Sequence, residues 1–156
     1  MIFNSLIYFC AVILPWLIVI GLIVYFLFSK KKVANLRLLG LSFFSAILAW
    51  FLASLFKYNF PSLRPFEIYN NLEPLFVTGK GDAFPSGHAT FMGALALGVF
   101  LQKRKLGLIF ILGAILVALA RVLAHVHSSL DVIVGLLFGA LVAVIVLVIY
   151  YKRYPR

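Results

Sequence analysis

The chain has 156 residues, of which 65% are hydrophobic and only four are acidic. That composition excludes a soluble domain of this length, and membrane insertion accounts for it. The formal charge of +10 comes from 14 lysines and arginines, but these punctuate the apolar runs instead of forming one stripe, which excludes nucleic acid as a partner.

The first residues, Met1 to Ser5, lack a basic n-region. The apolar run that follows is too long for a signal-peptide core, so it is expected to remain as a membrane helix. Its single cysteine, Cys10, leaves no intramolecular disulfide and no expected thiol-based metal site. Five apolar segments follow in chain order, at about Leu6–Phe28, Leu38–Phe56, Pro85–Leu101, Leu106–Ala124 and Val132–Tyr150. Each is near the roughly 20 residues that span a bilayer as a helix. The one long connection, Lys57–Phe84, carries Pro61, Pro65, Pro74, Gly79 and Gly81 and reads as a loop. With no repeat and no second domain, the expectation is an all-α, polytopic helical bundle over residues 1–156.

The charges orient this bundle. Lys30, Lys31, Lys32 and Arg37, then Lys103, Arg104 and Lys105, then Lys152, Arg153 and Arg156 occupy alternate connections and the tail, ten of the fourteen basic residues. The positive-inside rule makes these segments cytoplasmic and the N-terminus external. Glu67, Glu73, Asp82 and Asp131 all fall on or near the other, outer side.

Four basic residues remain: Lys57, Arg64, Lys80 and Arg121. Arg121 lies within an apolar span, where a charge is costly and points to function. His88, His125, His127 and Asp131 also map to outer helix ends. Cations, imidazoles and a carboxylate thus gather at one membrane face, a set that suits phosphoryl transfer. Pro85-Ser86-Gly87-His88 adds a helix start whose Ser86, Gly87 and His88 N–H groups are an anion site. His127 and Asp131 are four residues apart. On a continuous helical turn the carboxylate would hold one ring nitrogen and leave the other as a nucleophile. His88 would then protonate the departing oxygen.

The residues match a known pattern in three parts: Lys57, six residues, Arg64-Pro65; Pro85-Ser86-Gly87-His88; and Arg121, five residues, His127, three residues, Asp131. In this the chain resembles the type-2 phosphatidic acid phosphatase superfamily. The resemblance implies a phosphohistidine on His127 oriented by Asp131, and His88 as general acid. It further implies a phosphate held by Lys57, Arg64, Arg121, Ser86 and Gly87, with no metal or other cofactor. The short chain, Arg64-Pro65-Phe66 and Gly81-Asp82-Ala83-Phe84 are similar to bacterial undecaprenyl diphosphate phosphatases, which act on the lipid carrier of cell-wall synthesis. Phosphatidylglycerophosphate and phosphatidate phosphatases share the same signature, and a lipid phosphotransferase, passing the phosphoryl group to an acceptor other than water, is a further alternative. Three features depart from it: Ala120 replaces a common serine, Ser129 replaces a frequent proline, and five spans are counted where membrane members often have six.

Plainer readings stand beside these. Lys57 is also a snorkelling helix-end lysine, Arg64 a solvated loop charge, and Arg121 one half of a buried ion pair with Asp131. Lys80 and Asp82 line the site or are simply solvated. His125 matches no motif position and reads as structural; a metal site of His125, His127 and Asp131 ranks low beside two cations. Gly135-x-x-x-Gly139 marks either helix dimerisation or packing within the bundle. Outside enzymes, the alternative is a protein that binds or transports anionic lipid.

Overall fold

The computed structural model describes residues 2–30, 32–69, 71–76 and 78–155. Lys31 and Arg156 of the basic clusters lie outside the described residues. The chain is a bundle of five long helices joined by short turns and one long connection. Helix α1 runs Ile2–Leu27 as one rod, with a π-helical turn over Phe9–Ile13 immediately before Leu14-Pro15. A proline ring clashes with the carbonyl four residues back, and one wider turn accommodates it. Helix α2 is Lys32–Asn59, α3 the short Pro65–Ile68, α4 Gly87–Gln102, α5 Arg104–Leu123 and α6 Ser129–Arg153.

Four of these, α1, α2, α5 and α6, are long and apolar enough to cross a membrane. The third expected span, α4, has only 16 residues, about 24 Å of helix against a hydrocarbon core of roughly 30 Å. It is also the most enclosed helix, packed on α2, α5 and α6 with nine buried residues. A helix sheathed by others need not reach both surfaces, and its start lies at the bottom of the site described below. The other helices begin before the expected spans, and α2 and α6 also run past their ends. Lys152 and Arg153, for example, stay in α6, because long basic side chains continue a helix while their heads reach for water.

Close approach of α4 and α6 is made by glycine. A Cβ on Gly135 would stand 2.8 Å from the Ser86 carbonyl oxygen, and one on Gly93 2.5 Å from that of Leu136. One on Gly139 would collide with the Thr90 carbonyl oxygen. The Gly135-x-x-x-Gly139 pattern is therefore packing within the bundle. Gly139→Val should lower the thermal stability of the purified protein by about 1–3 kcal/mol or more, since backbone cannot yield as a side-chain tip can. An unshifted unfolding temperature in detergent would show the contact to be slack.

At the opposite end from the long connection, the basic termini of the helices meet. Lys103 Nζ reaches Tyr25 Oη at 2.5 Å, and the Arg37 guanidinium lies over the Tyr150 ring.

Candidate active site

The site is built at the other end, from the long connection and the starts of α4 and α6. Two loop strands are stitched together first. Ser62 pairs with Asp82 in an isolated parallel bridge. Ser62 N–H donates to the Gly81 carbonyl, and Ala83 N–H donates back to that of Ser62, at 3.2 and 3.0 Å. Glu67 Oε2 accepts from the Arg64 and Gly81 N–H groups at 2.9 and 3.0 Å. Those two backbone donors hold the Glu67 carboxyl below its ordinary range, the Gly81 bond contributing most. The loop thereby presents Arg64, whose side chain is 4% exposed.

Arg64 spends its donors in a directed way. Nε and Nη2 both donate to Asp82 Oδ1, at 3.0 and 2.7 Å. Nη1 donates to the Val126 carbonyl at 2.9 Å and lies 3.4 Å from His127 Nε2. The guanidinium thus bridges the loop to the turn that carries His127, against Nε2 of its ring. Sequence reasoning left Asp82 open between lining the site and solvation. Its role as the Arg64 partner appears only when residues 18 apart are brought together.

The His127–Asp131 pair forms by a different route from the one the spacing predicts. His127 does not lie on a helical turn; it precedes Ser128, the N-cap of α6. A capping box brings the carboxylate back. Ser128 N–H donates to Asp131 Oδ2 at 2.7 Å, and Asp131 N–H donates to Ser128 Oγ at 3.2 Å. The same Oδ2 stands 3.5 Å from His127 Nδ1. That length is too long for a full hydrogen bond, and Nδ1 has no hydrogen-bond partner among the described residues. Such distances tighten in a reacting complex. Burial, opposed by the Asp131 interaction and reinforced by Arg64 and Arg121, pushes the His127 imidazole down to about 4. The ring is neutral at neutral pH, as attack on phosphorus requires.

The Pro-Ser-Gly-His segment also departs from expectation. The helix starts at Gly87, two residues later than predicted, with Ser86 as an extended N-cap and a cis peptide between Phe84 and Pro85. Ser86 N–H is committed: it donates to the Asp131 carbonyl at 3.0 Å and ties the start of α4 to that of α6. What Ser86 offers an anion is its hydroxyl, buried without a partner among the described residues. Gly87 and His88 occupy the first two helical positions, whose N–H groups have no carbonyl within the helix. A Cβ on Gly87 would stand 3.7 Å from Lys57 Nζ and 3.4 Å from the Trp50 ring. Lys57, still inside α2, therefore reaches the start of α4. His88 lies within Coulombic reach of Lys57, Arg64, Arg121 and His127.

Arg121, in the last turn of α5, is 5% exposed. Among the described residues it makes no side-chain ion pair: Asp82 is taken by Arg64, and Asp131 stands against His127. Its Nε is buried without a hydrogen-bond partner there. The expected alternative, an ion pair with Asp131, is not formed. The Arg121 guanidinium lies instead over the ring of Phe76, 5.2 Å from its centroid. Phe76 was not legible as a site residue. Its loop is held by Leu75 N–H to the Ala124 carbonyl, and by the ring of His125, whose Nδ1 is 3.2 Å from the Glu73 carbonyl. His125, at φ +60°, faces this loop. No group of three or more His, Cys, Asp or Glu suited to a metal occurs among the described residues. Lys80 is exposed.

The arrangement has the parts of a phosphoryl-transfer centre: buried donors without protein acceptors, three converging cations, and a neutral imidazole backed by a carboxylate. Comparison with known proteins decides its family, because the profile of the PAP2 superfamily matches residues 38–155. The chain belongs to the PAP2 superfamily. Among relatives, it is 27% identical over 143 residues to a protein named bacitracin transport permease protein BcrC from Bacillus licheniformis, covering 92% of this chain and 70% of that one. It is 35% identical over 97 residues to an undecaprenyl-diphosphatase from Sulfolobus acidocaldarius, covering 62% of this chain and 47% of the relative, about half its length. The crystal structure of Aquifex aeolicus LpxE superimposes with a TM-score of 0.73 at 26% identity, covering 94% of this chain and 84% of that one. The PAP2 match takes in the cup from Lys57 to Asp131, together with α4, α5 and α6.

Proposed function

We propose that this multi-pass membrane lipid phosphatase of the PAP2 superfamily hydrolyses undecaprenyl diphosphate through a phosphohistidine on His127. Lys57, Arg64, Arg121, Ser86 Oγ and the first N–H groups of α4 hold the non-bridging oxygens of the terminal phosphate. His127 Nε2 attacks phosphorus in line, and the bond to the bridging oxygen breaks. His88, which takes up a proton when the anionic phosphate is bound beside it, donates that proton to the oxygen, which leaves with undecaprenyl phosphate. Water, deprotonated by His88, then cleaves the P–N bond and releases inorganic phosphate, restoring both rings.

The observation that carries this reading is the pair of buried donors, Arg121 Nε and Ser86 Oγ, without a hydrogen-bond partner among the described residues. Leaving such groups unpaired is costly, and the phosphate supplies the acceptor. The choice of lipid rests on the 35% identity to the undecaprenyl-diphosphatase. The outer face is supported by charge: Lys30, Arg37, Lys103, Arg104, Lys105, Lys152 and Arg153 all lie toward the opposite end of the bundle.

A second reading is binding or transport of an anionic lipid without turnover; the name of the Bacillus licheniformis relative, a bacitracin transport permease, also speaks of transport. One experiment separates these. Phosphate release by the purified chain in nanodiscs is compared for undecaprenyl diphosphate, phosphatidylglycerophosphate, phosphatidate and a short-chain diphosphate, with and without a chelator. Undecaprenyl diphosphate should be fastest, without loss to the chelator. A phosphatidate or phosphatidylglycerophosphate preference would reassign the substrate, and saturable binding with no phosphate released would favour transport.

A further inference from the structure

A concave space lies at the end of the bundle opposite His127. It has a volume of about 180 Å³ and is lined by Ala34, Arg37 and Leu38 of α2, Gln102 and Lys103 where α4 ends, and Tyr151 of α6. We propose that this cavity holds the headgroup phosphate of an anionic phospholipid from the leaflet on that side, between the Arg37 guanidinium and the Lys103 ammonium. The lipid is bound there and not turned over, so the inference is independent of the reaction at His127.

Charge balance identifies the class of ligand. The chain has four acidic residues, Glu67, Glu73, Asp82 and Asp131, and all of them belong to the long connection or the start of α6. Arg37 and Lys103 therefore have no carboxylate side chain at their end of the bundle, and neither makes a side-chain ion pair among the described residues. Lys103 Nζ reaches the Tyr25 hydroxyl instead, and the Arg37 guanidinium stands 6.0 Å from the centroid of the Tyr150 ring. These contacts fix where the two charges sit and leave them without a counter-ion. Cations from different helices that line one space repel each other, and an anion between them turns the repulsion into attraction.

Depth identifies the source. Tyr25, Tyr150, Tyr151 and Tyr154 gather at this end, and tyrosines favour the level where headgroups meet hydrocarbon. Leu38, 2% exposed, closes the cavity on the apolar side, whereas Ala34 and Arg37 are exposed at its mouth. At about 30 Å³ for each water-sized group, the space holds about six such groups, enough for a phosphate. The acyl chains stay outside, along exposed apolar side chains such as Leu36 and Leu101. Basic pockets between membrane helices suit anionic headgroups for these reasons. The wall is also preformed. Gln102 Nε2 donates to the Gly98 carbonyl at 2.9 Å and to Ser42 Oγ at 3.2 Å, tying the end of α4 to α2. Little ordering is then lost on binding. Because α4 carries Gly87 and His88 at its other end, a lipid clamping α2, α4 and α6 here steadies the frame that holds the His127 cup.

The test uses the full chain in an uncharged detergent, titrated with dihexanoyl phosphatidylglycerol. Dihexanoyl phosphatidylcholine and inorganic phosphate are titrated for comparison. The readout is the unfolding temperature, whose rise with ligand concentration gives an apparent Kd. Phosphatidylglycerol should raise it by about 5 °C or more near saturation, and phosphatidylcholine, with no net charge, much less. Arg37→Gln combined with Lys103→Gln should weaken phosphatidylglycerol binding about tenfold or more. Arg104→Gln combined with Lys105→Gln removes the same charge from residues that do not line the cavity, and should change the Kd about twofold or less. Ala34→Trp fills the cavity from an exposed position with both cations kept, and should weaken binding as the first pair does even if that pair folds poorly. Equal losses from the two charge pairs, or wild-type affinity in Ala34→Trp, overturn the cavity in favour of diffuse interfacial charge. Inorganic phosphate binding that is lost in the Arg37→Gln, Lys103→Gln protein to the same degree assigns the space to a free anion and overturns the lipid.

Discussion

His127→Ala should reduce phosphate release by about 10⁴-fold or more, to near background, while leaving the protein folded and able to bind a phosphate analogue. The magnitude follows from removing the atom that forms the covalent bond; the oxyanion-binding groups alone sustain only a residual rate. The buried ring, 2% exposed, touches Arg64 on one side and Asp131 on the other. Its loss therefore leaves two opposite charges in the same small space, which limits the structural damage. Two readouts make the result specific. Wild-type protein quenched during turnover of substrate labelled in the terminal phosphate should carry acid-labile label, and the variant none. Because the ring stays unprotonated down to about pH 4, labelling of the wild type should persist through the pH range in which an ordinary histidine is already cationic. Label surviving in the alanine variant would move the nucleophile elsewhere.

Much of this site was legible because phosphoryl transfer demands particular residue types. Lys57, Arg64, Arg121 and His127 are polar groups in an apolar chain, and their spacings on helices and loop brought them to one end before any coordinate was considered. The means of holding them were hidden. The commitment of Ser86 N–H to the Asp131 carbonyl joins residues 45 apart. The capping box that swings Asp131 toward His127 depends on Ser128 adopting an extended N-cap conformation, which a four-residue spacing does not reveal. Helix rotation was hidden for another reason: these helices are apolar on all faces, so hydrophobic periodicity says little about which side faces lipid. Trp50 was therefore not singled out, and Phe76 lies in the long connection, where no helical periodicity operates. The glycines of α6 left two partners open, a second chain or α4, and only the carbonyl of Thr90 beneath Gly139 decides between them.

The second large effect concerns Arg121, where stability and activity should move in opposite directions. A buried cation that makes no side-chain ion pair among the described residues carries a desolvation penalty of several kcal/mol, only partly offset by the Phe76 ring and by Asp82 at longer range. Arg121→Met retains a long, flexible side chain and removes the charge, so the ligand-free protein should unfold at the same temperature as the wild type or higher, by about 1 kcal/mol or more in stability. Phosphate release should nevertheless fall by about 10²–10³-fold, the scale for removing one donor aimed at charge in the transition state. Vanadate, a pentacoordinate mimic of the phosphorus in transfer, resolves the two effects. It should raise the unfolding temperature of the wild type by linkage and do so much less for the variant. Were Arg121 a structural residue, the methionine protein would unfold earlier, and vanadate would still stabilise whatever folded fraction remained. A gain in stability accompanied by a loss of turnover and of vanadate protection is explained by a guanidinium kept out of any direct ion pair among the described residues because its counter-ion is the substrate.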